Sequence, residues 1–156
     1  MARQVTFRSA LIARTAGKKV FGMPDPVDPM PLPGHPRPPA VDPVQLAELR
    51  SLSPAGDAWL VRELILPFLQ GSEQGLREMR AGCMKADAPQ VERLAHNLKG
   101  SCGTVGVRIL AEIARQLMES AHAGELQGVP ALLDQYAAEH ARVAAALRRE
   151  FPGLPA

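Results

Sequence analysis

The chain has 156 residues, 46% of them apolar but only six aromatic (four Phe, one Trp, one Tyr). That suits one domain plus a tail, and the Ala-, Leu- and Val-rich mixture favours packed helices over a β-sandwich. Residues 1–42 carry six Lys/Arg against three Asp, which leaves 12 basic against 13 acidic in residues 43–156; the globular part therefore lacks the positive excess that nucleic-acid binding requires.

Residues 1–24 hold five basic residues and no acidic one. The bias fits a basic, poorly ordered extension, including an over-long start upstream of Met23 or Met30 as one reading, and is shared by transit peptides and amphipathic surface helices. From Pro24 to Pro43 the chain reads "PDPVDPMPLPGHPRPPAVDP", with nine of the fifteen prolines. Each proline lacks a donor and restricts its predecessor, so residues 1–41 are expected to be an extension and linker without a core. His35 reads as a linker residue.

A folded unit is expected over residues 42–151, with 152–156 as a tail. Asp42 can cap a short helix that starts at Pro43 and runs to about Leu52, with Gln45 in the capping-box position. Leu60, Leu64, Phe68, Leu76, Met79 and Cys83 then recur mostly at steps of three, four or seven, the spacing of an amphipathic helix. Pro67 and Gly71 predict a kink or a break in it. Trp59 and Phe68 read as core anchors, Trp59 with a docking role as the alternative.

Asp87, Pro89 and Gln90 open the next helix, with Asp87 and Gln90 again in capping-box spacing. After Gly106, Ile109, Leu110, Ile113, Leu117 and Ala121 mark a further helix that Gly124 can stop. Glu112, Arg115 and Glu119 read as solvated charges on its outer side, and His122 as a cation that complements the helix end. Val129, Leu132, Leu133, Tyr136, His140, Val143 and Leu147 form one stripe on the last helix, where His140 reads as a satisfied or partly buried histidine. Four long amphipathic segments with short connections predict an all-α antiparallel up-down four-helix bundle with a short extra N-terminal helix.

Cys83 and Cys102 form neither a close metal-ligand pair nor a disulfide framework, which points to reduced thiols and a cytoplasmic protein. The histidines lack the spacing of a helix-borne metal site. No apolar run approaches the ~20 residues of a membrane span.

The stretch "AHNLKGSCGTVG", residues 95–106, carries the chemistry. Val91, Leu94, Ala95, Leu98 and Cys102 share one side of the helix and must face the core. His96 is two residues from Leu98, about 200° around the axis, and therefore points to solvent. Glu92 and Arg93 precede it at helical spacing, and Lys99, Gly100 and Gly103 follow. Lys99 can reach an anion held on His96. Two glycines inside a helix cost up to about 1 kcal/mol each relative to Ala, and close approach by another protein would supply a reason for them. A solvent-facing imidazole is largely neutral near pH 7 and can act as a nucleophile, with the lysine offsetting phosphoryl charge.

The longer string "AHNLKGSCGTVGVRILAEIARQLME" resembles the signature of histidine-containing phosphotransfer (HPt) domains, with an Ala-His pair, Leu-Lys-Gly-Ser, a small residue and a Gly before the next helix. The resemblance extends over about residues 42–150. It implies that His96 is the phospho-accepting histidine, Lys99 its charge partner and Gly100 the small residue that lets a receiver domain dock, with Ser101 in the matching polar position. Glu92, Arg93 and Gly103 join Gly100 and Ser101 as expected partner contacts. It also implies a monomeric carrier without an ATP site or autokinase activity, relaying phosphoryl groups between receiver-domain aspartates, the receivers being those of a hybrid sensor kinase and/or a response regulator. No cofactor is expected, the Mg²⁺ being the receiver's. The alternative is a helical interaction module that binds a signalling partner without phosphoryl transfer.

Overall fold

The computed structural model describes residues 36–53 and 56–155. The expectations for the basic extension and most of the Pro-rich linker fall on residues 1–35, outside that set. Among the described residues every regular element is helical: α1 Pro43–Leu52, α2 Asp57–Leu60, a π-helical turn Val61–Ile65, α3 Leu66–Met84, α4 Ala88–Val105, α5 Arg108–His122, a 3-10 turn Leu126–Gly128 and α6 Val129–Glu150.

Asp42 caps α1, its carboxylate accepting from the N–H of Val44 at 2.9 Å and of Gln45 at 3.4 Å. The reciprocal bond expected from the Gln45 side chain is replaced, because the Asp42 N–H donates to the carbonyl of Gly106. The same substitution occurs at α4. Asp87 accepts from Gln90 N–H at 3.0 Å, while its own N–H goes to the Gly82 carbonyl at 2.9 Å. In both caps a backbone carbonyl of a packed neighbour or preceding turn takes the donor that the side chain at the third position would have served.

The break expected at Pro67 and Gly71 is absent: helical structure runs from Asp57 to Met84. The disturbance lies just upstream, where the N–H of Leu66 bonds to the carbonyl of Val61, five residues back. Pro67 has no N–H to offer Glu63, and its ring would crowd that carbonyl; the wider turn accommodates both. The extra residue also resets the phase of the buried face. Leu60 and Ile65 are buried five residues apart, followed by Phe68, Leu69, Ser72, Gly75, Met79 and Gly82, whereas Leu64 and Leu76 are only half-buried.

The four long helices α3 to α6 enclose one core, with Leu110, Leu117, Leu133, Tyr136 and Leu147 among its fully buried side chains. Close approaches of Gly75 to Leu98 and Gly82 to Val91 make α3 and α4 antiparallel. Arg80 with Asp134 at 2.9 Å, and Phe68 with His140 at 6.5 Å between rings, run α3 antiparallel to α6. Gly124 ends α5 at φ 74°, and the Glu125 N–H returns to the Ser120 carbonyl at 2.8 Å, a Schellman-type stop.

The segment before α1 packs on the bundle: Val41 is buried and Arg142 donates to the Pro38 carbonyl at 3.0 Å. Leu154, in the stretch read as a tail, is buried as well. Trp59 is half-buried against the core and Phe68 lies inside it. His140 is buried, as the apolar stripe suggested, but among the described residues its Nε2 and the Ser72 hydroxyl have no hydrogen-bond partner, so the ring is not fully satisfied. Burial, chiefly, pushes its pKa down.

Candidate histidine site on the fourth helix

Val91, Leu94, Ala95, Leu98, Cys102 and Val105 are all buried, which fixes the rotation of α4 and turns the opposite side outward. His96, Gly100 and Gly103 are exposed there, and Lys99 is half-buried beside them. Their spacing of three, four and seven residues places them on adjoining positions of one helical surface. Lys99 has no ion-pair partner among the described residues, so its ammonium is available to an anion at His96.

The glycines of the chain divide by what surrounds them. A Cβ at Gly75 would meet Leu98 at 3.2 Å, and one at Gly82 would meet Val91 at 3.0 Å; these two glycines let α3 and α4 approach. At Gly100 and Gly103 nothing lies within 4 Å. No neighbour among the described residues accounts for the missing side chains there, although each weakens the helix.

Gly106 ends α4 in the left-handed region at φ 80°, and turns the chain sharply into α5. Glu92, an expected partner contact, is bonded to the neighbouring helix: His122 Nδ1–H donates to Glu92 Oε1 at 2.9 Å, linking α4 and α5. His122 sits in the last turn of α5 as expected, but its ring is engaged across the helix pair rather than with its own helix end. From that pair, antiparallel register brings Met118 level with His96 and Arg115 level with Lys99.

Arg115 is not a free solvated charge. It bonds to Glu112 and, at 2.5 Å, to Glu119, with Glu112 and Arg115 half-buried. Hydrogen bonding to Glu112 chiefly raises its pKa further and holds that of Glu112 down. Arg93 is exposed and ends on the same outer side as His96. Ser101 is exposed but about 140° around the helix from His96, and its hydroxyl donates to the Asn97 carbonyl at 3.1 Å. The structure thus groups His96, Lys99, Gly100 and Gly103, leaves Arg93 at the edge, ties Glu92 to α5 and turns Ser101 away.

Cys102 faces inward, with its sulfur 3.8 Å from the Tyr136 hydroxyl. Burial pushes its thiol up to about 11 and raises the Tyr136 hydroxyl strongly. Both are packing groups in a polar seam of the core. Among the described residues there is no group of three potential metal ligands and no helix long and apolar enough to cross a membrane.

The engagement of His122 had no signal in local spacing. Its one trace is that Glu92 and His122 lie at nearly equal distances from Gly106, where a helical hairpin brings residues together.

A helical bundle that presents a histidine flanked by a lysine and two unoccupied glycine positions has the form of a phosphoryl carrier. The chain belongs to the Hpt domain family, whose model matches residues 63–146. Proteins of this family are phosphocarriers without kinase activity, in two-component phosphorelay signal transduction. Among solved structures, the chain is similar to the crystal structure of histidine-containing phosphotransfer protein B (HptB) from Pseudomonas aeruginosa PAO1. The two share 33% sequence identity with a TM-score of 0.68, over 75% of this chain and 98% of that one. Among curated protein sequences, none matches.

Proposed function

We propose that the protein carries a phosphoryl group on His96, between the aspartates of two receiver domains in a multistep relay. The observation that carries this reading is the coincidence, on one outward surface of α4, of an exposed imidazole, an ammonium one turn away and two glycines, the ammonium without an ion-pair partner and the glycines with open space above them among the described residues.

A ring nitrogen of neutral His96 attacks the phosphorus of the receiver's aspartyl phosphate. The nitrogen–phosphorus bond forms as the acyl phosphate oxygen–phosphorus bond breaks, and the aspartate leaves as a carboxylate. The second ring nitrogen keeps its proton, so the step needs no base from this chain. Lys99 offsets the charge of the transferring oxygens. Gly100 and Gly103 provide clearance for the receiver surface, which brings its own Mg²⁺. Transfer to a second receiver reverses the same bonds. The carrier acts as a cytoplasmic monomer, with no cofactor of its own.

The test is transfer from a phosphorylated receiver. His96→Gln should abolish acid-labile labelling with the helical circular dichroism unchanged; undiminished labelling at histidine in that variant would overturn the assignment.

A further inference from the structure

Glu92 lies four residues before His96 on α4, so their Cβ atoms are neighbours, about 5–6 Å apart on one helical surface. A free carboxylate there would accept the ring N–H of His96, favour its cationic form and stand against the oxygens of any phosphoryl group on it. In the structure that carboxylate is occupied. His122 Nδ1–H donates to Glu92 Oε1 at 2.9 Å, across the α4–α5 groove. A carboxylate acceptor keeps the His122 proton on Nδ1 whether the ring is neutral or cationic. The His122 side chain is 78% exposed, and no core packing accounts for its placement.

We propose that His122 is a positioning residue for the histidine site: it holds the Glu92 carboxylate toward α5 and so keeps negative charge away from His96. The inference rests on the reading of His96 as acceptor for its consequence in transfer, but the charge relationship itself is read without any transfer.

The other acids around this surface keep their own partners when His122 is replaced. On α4 the other charges are the cations Arg93 and Lys99. On α5, Arg115 is joined to Glu112 and Glu119, which occupies both acids. On α3 the acid on the α4-facing side at this level is Glu78, one turn from Gly75 and Gly82, which accepts from the Gln74 amide at 2.6 Å; Arg77 and Arg80 lie on the far side of α3 and donate to Gln74 and Asp134. The Asp42–Arg108 pair of α1 and α5 belongs to the opposite end of α4, beside Gly106.

The experiment is an NMR titration of the His96 ring in the full chain, comparing wild type with His122→Ala, His122→Gln and the double variant Glu92→Gln/His122→Ala. Release of Glu92 in His122→Ala should raise the His96 midpoint by about half a pH unit and slow phosphoryl acceptance. The double variant should return to the wild-type midpoint, because the charge is gone. His122→Gln keeps an amide donor for Glu92 and should titrate as wild type. An unchanged midpoint in His122→Ala with helicity intact overturns the proposal, as does a raised midpoint that persists in the double variant. Failure of wild type to be labelled at His96 would instead overturn the acceptor reading, with the titration still deciding the role of His122.

Discussion

The backbone N–H of Asp42 donates to the carbonyl of Gly106 at 2.9 Å, and so ties the start of α1 to the corner between α4 and α5. Arg108 bonds to the Asp42 carboxylate at the same corner. The Val44 N–H, chiefly, holds that carboxyl below its ordinary range. Gly106 sits at φ 80°, and a Cβ on it would lie 2.6 Å from the Cβ of Gln45.

Gly106→Ala should therefore destabilise the fold by about 2 kcal/mol or more, through left-handed strain together with displacement of α1. Urea unfolding measures it as a lower midpoint with a similar slope. A midpoint equal to wild type would show that α1 yields without cost.

Gly100→Ala and Gly103→Ala should have the opposite sign, each adding up to about 1 kcal/mol, because open space and helical φ remove every penalty of the methyl group. Gly75→Ala should not share the gain, since its methyl would press on Leu98. Gly100→Trp should leave thermal unfolding nearly unchanged while lowering the receiver transfer rate about tenfold, the equivalent of roughly 1.4 kcal/mol of docking. Equal transfer rates for Gly100→Trp and wild type would remove the clearance role.

His140 predicts a pH dependence of stability. Burial lowers its folded-state pKa, so the folded chain binds fewer protons than the unfolded chain, whose histidine titrates near ~6.5. This contribution is intact above ~6.5 and is lost as the pH falls from there through the folded value. Carboxylates with lowered pKa, such as Asp42, act in a separate window below ~4. In His140→Phe, denaturation midpoints between pH 7 and 5 should vary less than in wild type; identical slopes would place the dependence elsewhere.

The two thiols should differ in reactivity. Cys102 is fully buried with its pKa pushed up to about 11, while Cys83 is half-buried and raised by a lesser desolvation. A maleimide or aromatic disulfide reagent should modify Cys83 in the native protein and reach Cys102 only on unfolding. Equal rates at the two positions would mean that the α4–α6 seam opens readily.

Much of α4 was legible in the sequence because its information is local. Once Val91, Leu94, Ala95, Leu98 and Cys102 define an apolar side, 3.6 residues per turn alone turn His96, Gly100 and Gly103 outward. Asp42 and Asp87 were recognisable as caps for the same reason, since each bonds within its own first turn. The α2–α3 segment was less legible: a periodic reading makes Leu64 follow Leu60, whereas the π turn carries burial to Ile65 and shifts every later position.

The sequence by itself determined an all-helical bundle, the positions of its caps and stops, and the outward direction of His96, because each depends on bonds or periodicity within a few residues. Tertiary structure alone decided which acids are free and which glycines are crowded. Glu92 and His122 meet only when α5 folds back on α4, and Gly106 is crowded only because α1 returns to its corner. Such contacts depend on packing between distant segments, which local spacing does not record.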